Sequence, residues 1–453
     1  MKKNIPQLLS SLAIVLFLVG CTPKSEKAIG IDLSLMDTTV RPQDDFYNYV
    51  NGTWMKNAEI PDDRTRWGSF DELREKTDAD VLELLKKASS KEQDETSDEG
   101  KAVLLYKLIT DTVARDADGI NPLKPFLNQI DEIASLEDVQ NYLIKTQPYG
   151  SGGIFGFYVS SDAKDSNKNA PHIYAGPLGI ERDYYVKDDE DSKKVKVQYE
   201  THVARMFGFL GSDETEAAAL AATVVAMETQ MAAARLDKVE RRDPAKRYNP
   251  TAMKGLQSMV SSVKWDAYFK GIGAEGLDEI IVTDLGYFTA LNDLLENNSI
   301  ADWKAYLKWT LVDQAASELT TEMETANWDF YSKTLRGAKA QRPLEKRALS
   351  RVNRNLGQPL GKLYVAEKFP PIAKEQMKEL VGNLIKAYTA RINNLEWMDA
   401  STKEKAIEKL EKTTVKVGYP DQWEDYSALT LNDADGTVSY FGAMLNIARF
   451  NFN

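Results

Sequence analysis

Residues that could bind a transition metal or act as nucleophiles are scarce in this sequence. It contains two histidines, His172 and His202, and a single cysteine, Cys21. Zinc-assisted hydrolysis typically uses two histidines one helical turn apart, with a glutamate between them as general base. Neither histidine has a partner at that spacing. We therefore interpret both as structural residues and predict no metal site and no catalytic residue in this chain.

Other kinds of catalysis have no clear signature either. The sequence has no Gly-x-Ser-x-Gly turn for a serine nucleophile and no glycine-rich loop of the kind that binds phosphate. Its 69 aspartates and glutamates are typical of solvated helix faces. The formal net charge of −12 would repel a phosphate backbone, so we exclude nucleic acid as a partner.

The N-terminus has the pattern of a secretory signal followed by a lipid anchor. Two lysines precede an apolar run at 12–19, which is shorter than the ~20 residues of a membrane-spanning helix. We predict a signal peptide at 1–20, lipidation of Cys21 and a tether at 21–40. The protein would then be an exported bacterial lipoprotein, membrane-anchored and facing the periplasm or the cell surface. The alternative is a cleaved signal that leaves a free cysteine.

The elements that would position any functional residue are mostly helical. Apolar residues recur at helical spacing over 70–88 and 374–395. Asp213 and Ser401, each followed by a glutamate three residues later, predict the starts of two further helices. The helix at 374–395 has one continuous apolar stripe made of Met377, Leu380, Val381, Leu384, Ile385, Tyr388, Ile392 and Leu395.

One local β signal interrupts the helices. Residues 154–159 alternate in polarity, and 172–175 could pair with them across a polar loop. No repeat of fixed length is visible, which argues against a helical solenoid. The predicted fold class is mainly α with a small β-hairpin.

Several motifs follow one another in a fixed order along the chain. They are Asp45-Phe46-Tyr47-Asn48-Tyr49-Val50-Asn51-Gly52-Thr53-Trp54, Arg66-Trp67-Gly68-Ser69-Phe70, Gly179-Ile180-Glu181-Arg182-Asp183-Tyr184-Tyr185, Arg242-Asp243-Pro244, Leu356-Gly357-Gln358-Pro359-Leu360-Gly361, Phe369-Pro370 and Gly418-Tyr419-Pro420-Asp421. Together they resemble the N-terminal region of the neprilysin-like, PepO-type (M13) zinc metallopeptidases. The resemblance extends over almost all of residues 44–426.

The resemblance implies a large helical N-terminal domain that caps a substrate cavity. We expect an opening segment at 41–75 that packs on the catalytic domain, a helical cap domain at 76–421, and the start of the catalytic-side segment at 422–453. The family's Arg-Tyr-Gly-x-Phe motif helps to bind the C-terminal carboxylate of the substrate, and that role would fall to Arg66. The alternative for Arg66 is a surface arginine beside Trp67.

The family's zinc-binding motif has no counterpart in this sequence, although the complete enzyme uses zinc to hydrolyse oligopeptides. We therefore expect a truncated chain that holds no cofactor and is inactive alone, and a zinc domain supplied in trans would be its partner. Several of the apolar residues whose family partners lie in that domain should be exposed as a patch, and the candidates are Phe46, Tyr47, Tyr49, Trp54 and Phe441. The alternative is a non-catalytic helical lipoprotein that binds peptides or glycans, for which the eight tryptophans could stack on sugars.

Overall fold

The computed structural model describes residues 30–150, 153–432 and 436–452, and these ranges are mainly α-helical. The helices are α1 (Phe46–Asn57), α2 (Ser69–Ser89), α3 (Asp98–Thr110), α4 (Thr112–Asp118), α5 (Lys124–Asp131), α6 (Leu136–Thr146), α7 (Arg182–Val186), α8 (Glu190–Phe209), α9 (Glu214–Ala233), α10 (Pro244–Arg247), α11 (Met253–Met259), α12 (Trp265–Gly271), α13 (Leu285–Asn297), α14 (Ile300–Ala315), α15 (Thr321–Trp328), α16 (Leu344–Asn355), α17 (Gly357–Lys368), α18 (Pro371–Asn393), α19 (Ala400–Glu411) and α20 (Tyr440–Phe452). A π-helical turn, Asp329–Thr334, follows α15. The predicted mainly α fold class is confirmed.

The predicted hairpin is present and belongs to a larger sheet. Its strands, β1 (Phe155–Ser161) and β2 (Asn169–Ala175), pair antiparallel, with Phe157 opposite Ile173. Two four-residue strands, β3 (Asn249–Ala252) and β4 (Glu279–Val282), extend it to the order β1-β2-β4-β3. The β2–β4 pair is parallel, and the β3–β4 pair is antiparallel.

The chain divides into two compact units, and the first contains described residues 30–61. In this unit α1 packs on the segment before it. The backbone N–H of Asp37 donates to the carbonyl of Tyr49 at 2.9 Å, and Lys56 pairs with the Asp37 carboxylate at 2.6 Å. A Cβ at Gly52 would lie 2.6 Å from the Cβ of Asp37, so the helix needs glycine at this contact.

The second unit begins at Asp62 and contains three hydrophobic cores. The first core joins the sheet to α11–α14 and includes the fully buried Trp265 and Trp303. The second joins α8, α9, α14 and α15, and the third joins α2, α3, α16, α17 and α20. Phe441 of α20 lies in the second core and is 6% exposed, so it is not one of the exposed residues of the expected patch.

Helix starts follow local hydrogen bonding. Asp213 caps α9 as expected, because its carboxylate accepts from the backbone N–H of Glu216 at 2.9 Å. The expected cap at Ser401 is wrong. Asp399 caps α19 instead, accepting from the N–H of Thr402 at 2.7 Å, and this places Ser401 inside the helix.

Candidate functional site

Arg66 lines a cleft of about 400 Å³ in the second unit. One wall is the chain from Asp63 to Arg74, and the other is formed by Trp328, the π-helical turn and the loop that leads into α16. The walls are joined through the carbonyl of Asp62, which accepts from the backbone N–H groups of Lys339 at 3.0 Å and Ala340 at 2.9 Å. The cleft therefore brings together two segments that lie far apart in the sequence.

Arg64 anchors the first wall. Its guanidinium bonds to the Glu75 carboxylate, lies 3.9 Å from Asp71 and stacks 5.2 Å from the centre of the Trp67 ring. Glu75 also pairs with Lys346 of α16. Burial alone would raise the pKa of Glu75, but the hydrogen bonds from Lys346 and Arg64 outweigh it and lower that pKa. Glu75 is thus held as a carboxylate that ties α2 to α16.

A second arginine, Arg342, occupies the opposite wall in a similar way. Its guanidinium lies 3.5 Å from Asp78 and 3.8 Å from both Asp63 and Glu75. Its Nε and Nη2 atoms are buried and make no hydrogen bond to a described residue. Arg347, also in the lining, donates to Glu324 at 2.9 Å. These arginines are occupied by acids of the protein itself.

Three other arginines in the lining are free. Arg66, Arg74 and Arg336 are exposed, and none forms an ion pair or side-chain hydrogen bond with the part of the chain that the structure describes. A guanidinium presents a planar fork of donors that matches a carboxylate or phosphate in two parallel hydrogen bonds. The cleft can therefore bind a carboxylate. The sequence analysis names Arg66 as a candidate. It does not name Arg74, which lies in the second turn of α2, or Arg336, which only the fold brings near.

The two histidines lie in separate, aromatic surroundings. His172 lies in β2, where its ring stacks on Tyr158 at 4.7 Å and its Nδ1 is 2.9 Å from the carbonyl of Ala170. His202 lies in α8 and stacks on Phe330 at 4.9 Å. Its Nε2 is 3.9 Å from an oxygen of Asp313, too far for a hydrogen bond. Both side chains are buried against aromatic rings.

The described residues do not fit a zinc ion. A catalytic zinc site takes three protein ligands and an open position for water. Within residues 30–150, 153–432 and 436–452, no group of three or more His, Cys, Asp and Glu side chains could hold a metal. The two histidines lie on different elements, and each ring faces an aromatic ring.

Comparison with known proteins decides the family. The model of Peptidase family M13 matches residues 42–420, which is most of the chain. The chain belongs to peptidase family M13. The Locusta migratoria endothelin-converting enzyme homolog is 27% identical over 445 residues, covering 92% of this chain and 60% of that protein. Human endothelin-converting enzyme 1 is 27% identical over 402 residues, covering 86% of this chain and 52% of that protein.

Solved M13 structures agree with the fold. The zinc metalloprotease ZMP1 of Mycobacterium tuberculosis, in complex with inhibitor, is 34% identical with a TM-score of 0.83, over 93% of this chain and 64% of that one. PEPO from Lactobacillus rhamnosis is 18% identical with a TM-score of 0.80, over 91% and 66%, and supports the fold alone. This chain thus spans between half and two thirds of these M13 relatives.

One M13 motif serves a buried carboxylate. Glu228 of α9 accepts from the hydroxyls of Tyr185 and Tyr199, both at 2.7 Å, and from the backbone N–H of Gly179 at 3.0 Å. A Cβ at Gly179 would lie 1.8 Å from the Tyr199 hydroxyl oxygen, so only glycine fits there. Burial raises the pKa of Glu228 to about 6, although the three hydrogen bonds oppose the shift. The motif 179–185 is therefore structural.

The M13 chain also presents an open apolar face on α18. Lys374 is the one buried residue of this helix. Leu380, Leu384 and Tyr388, which belong to the apolar stripe, are 51%, 50% and 58% exposed. A stripe at helical spacing normally packs on a partner. Val381, Ile385, Ile392 and Leu395 of the stripe are partly buried, whereas the described residues leave Leu380, Leu384 and Tyr388 exposed.

The remaining sequence predictions have separate outcomes. Phe46 and Tyr47 are exposed as expected, and Tyr49 and Trp54 are partly buried. Trp265, Trp303 and Trp309 are fully buried, which favours packing over sugar binding for these three.

None of the described helices combines the length and apolar character needed to cross a bilayer. Cys21 and the signal peptide lie outside the described residues.

Proposed function

We propose that this chain is the substrate-cavity cap of an M13 zinc metalloendopeptidase that acts on oligopeptides. The observation that best supports this proposal is the cleft around Arg66, where three exposed guanidinium groups have no partner among the described residues. In this proposal Arg66 binds the C-terminal carboxylate of a peptide, and Arg74 and Arg336 add positive charge to the same cleft.

The zinc-binding half is proposed to come from outside this sequence. The described residues offer no ligand set for zinc, so we assign this chain no catalytic step. When bound in the complete enzyme, zinc would activate the attacking water. The chain's own residues would orient the peptide by its C-terminus and limit the size of the substrate. We expect the chain alone to be inactive.

The open face of α18 supports a missing partner. Leu380, Leu384 and Tyr388 are about half exposed, and exposed apolar patches in soluble proteins usually mark an interface. The proposed occupant is the part of the M13 fold that the relatives have and this chain does not span. This chain covers 60% of the Locusta migratoria relative and 64% of the ZMP1 structure, so both proteins contain residues beyond the matched part.

We also propose that the protein is lipidated at Cys21 after removal of residues 1–20, with 21–40 as a tether. The apolar run and the small residue before the cysteine support this. The protein would then face the periplasm or the cell surface from a membrane anchor.

The test of the site uses two versions of one short peptide, with a free C-terminal carboxylate or a C-terminal amide. We expect the purified chain to bind the free acid about tenfold more tightly, since a charge-assisted pair is worth about 1.5–3 kcal/mol. Arg66→Met should remove this preference. Arg354→Met, an exposed arginine that does not line the cleft, should keep it. Equal affinity of the wild-type chain for both peptides would refute the assignment of Arg66.

A further inference from the structure

A second and larger cleft, of about 860 Å³, lies in the same unit and shares no lining residue with the cleft around Arg66. It lies at the end of α9, beside α7, the start of α8 and the ends of β2 and β4. Its size falls in the range of about 300–1,000 Å³ that small-molecule sites occupy. Its walls carry basic residues together with the rings of Tyr174 and Tyr184.

Arg235, two residues after α9, is the most unusual residue of this cleft. Its Nε and Nη2 atoms are buried and make no hydrogen bond to any described residue. The guanidinium lies 5.0 Å from the centre of the Tyr287 ring, whose hydroxyl donates to the carbonyl of Ile154 at 2.6 Å. The ring contact leaves the three N–H groups on these two nitrogens unmatched, and buried donors without acceptors are rare in folded proteins. Arg235 itself is half-buried and lines the cleft, so a small rotation of its side chain would bring these donors to an acceptor of a bound ligand.

Most acids in the lining already hold hydrogen bonds or ion pairs, and none of them forms an ion pair with Arg235. Asp183 pairs with Lys187 at 2.9 Å and with Lys238 at 3.4 Å. The Asp284 carboxylate accepts from the backbone N–H groups of Leu236 at 3.0 Å and Tyr287 at 3.1 Å.

Two more lining acids are occupied in the same way, and one is free. Glu181 pairs with Arg241 at 3.2 Å, and Asp189 accepts from the backbone N–H of Ser192 at 2.8 Å. Asp191 is the one lining acid without an ion pair or side-chain hydrogen bond to the described chain.

Two exposed arginines at the cleft add to the unmatched donors. Arg242 and Arg247 line it and form no ion pair or side-chain hydrogen bond within the ranges that the structure covers. Three guanidinium groups are therefore available in one concave site against one free carboxylate. Over the whole lining six basic side chains face five acidic ones, so the net charge is slightly positive. The planar forks of the three unpaired guanidinium groups suit phosphate and carboxylate oxygens alike.

We infer that this cleft binds a small ligand that carries a phosphate or carboxylate group. Arg235 is the buried anchor of the anionic group, and Arg242 and Arg247 hold it from the rim. Tyr174 and Tyr184 supply apolar wall for the rest of the ligand. The inference is independent of the proposed peptide-binding role of Arg66, because the two clefts have no residue in common.

The experiment is titration calorimetry of the full chain with pyrophosphate and, separately, with citrate. We expect at least one of them to bind with a dissociation constant below about 1 mM. The double variant Arg242→Ala/Arg247→Ala should weaken that binding at least tenfold, and both positions are exposed, so the fold should be kept. Arg235→Met should abolish it. Binding of pyrophosphate alone assigns a phosphate ligand, and binding of citrate alone assigns a carboxylate ligand.

Two controls make the result specific. Arg354 lines neither cleft, so Arg354→Met should leave the affinity for the anion within twofold of the wild-type value. Arg336→Met tests the other cleft and should also have no effect. The inference is overturned if neither anion binds at 1 mM, if the double variant binds as the wild type does, or if the loss follows Arg336→Met instead.

Discussion

The ammonium of Lys374 donates to the backbone carbonyl of Tyr419 at 2.7 Å and lies 4.1 Å from the centre of the same residue's ring. It also pairs with Asp421 at 2.7 Å. Gly418, with φ of +70°, makes the turn that presents this carbonyl, and a Cβ there would lie 2.9 Å from the ring of Phe369. One buried lysine thus joins α18 to the Gly-Tyr-Pro-Asp motif of the family.

We expect Lys374→Met to lower the free energy of unfolding by about 1–3 kcal/mol, because it leaves the Tyr419 carbonyl and Asp421 without their donor. Urea denaturation followed by circular dichroism measures this. Lys378→Met, one turn along the same helix, is the matched control, since Lys378 is exposed and pairs only with Glu375. It should leave the unfolding curve unchanged. Equal effects of the two variants would show that the contact to Tyr419 contributes nothing.

Gly179→Ala should destabilise the protein by about 3 kcal/mol. The added methyl would overlap the hydroxyl of Tyr199 and displace its hydrogen bond to Glu228. Gly382→Ala provides the control, because it lies in α18 with no atom within 4 Å of the new Cβ. That variant should gain about 0.5–1 kcal/mol from helix propensity. Thermal melts of both variants check the opposite signs.

Local pattern predicts much of this fold, and its failures have physical causes. Helical periodicity located α2 and α18, and alternation located the β1–β2 hairpin. Strands β3 and β4 escaped prediction because each has four residues and pairs with partners distant in sequence. The expected cap at Ser401 is two residues too late, because Asp399 can accept the same kind of hydrogen bond and only the backbone conformation decides which side chain does.

The candidate site shows the same division. Arg66 was found through a family motif, whereas Arg336 has no motif and reaches the cleft through the turn after α15. The stripe on α18 was found correctly, but periodicity does not tell whether a partner covers it. Leu384 is half exposed here. No sequence pattern indicates Arg235, because only the fold shows that two of its nitrogen atoms are buried without an acceptor.

The stability of the protein should depend on the protonation of Glu228. Burial raises the pKa of this carboxyl to about 6 in the folded state, from an ordinary value of 4.5. The folded state therefore binds the Glu228 proton more tightly than the unfolded state does. The stabilisation that this proton gives the folded state is complete below about pH 4.5 and is lost as pH rises through about 6. The loss amounts to about 2 kcal/mol.

Glu228→Gln should remove this share of the pH dependence, since the amide can keep hydrogen bonds to Tyr185 and Tyr199 without a charge. The free energy of unfolding should still depend on pH through Glu318. Burial raises the pKa of Glu318 to about 7, although the charges of Arg351 and Arg115 oppose this shift. Free energies of unfolding at pH 4.5, 5.5, 6.5 and 7.5 measure both. The exposed control Glu322→Gln should keep the wild-type slope. A Glu228→Gln curve parallel to the wild type would contradict the buried-carboxyl argument.

Cys21→Ala should release the protein from the membrane fraction or leave an unprocessed precursor. The apolar run at 12–19 and the small residue before Cys21 make lipid on this cysteine the proposed anchor. Fractionation after a high-salt wash, followed by immunoblotting, provides the measurement. Thr22→Ala, at the neighbouring position, should stay in the membrane fraction. Full membrane retention of the Cys21→Ala protein would rule out lipid on this cysteine as the anchor.

Because Leu380 and Leu384 of α18 are exposed, changing them should alter the binding of hydrophobic molecules without altering the stability of the chain. Leu380→Lys/Leu384→Lys should leave the free energy of unfolding of the chain unchanged, because both side chains already lie half in water. The same variant should bind much less of a hydrophobic dye such as anilinonaphthalene sulfonate, since the apolar patch is interrupted. Leu349→Ala is the contrast, because Leu349 is 3% exposed in the third core and its truncation should cost about 3 kcal/mol. If the double lysine variant instead unfolded the chain, the face would be covered within this protein, and the need for a partner on α18 would disappear.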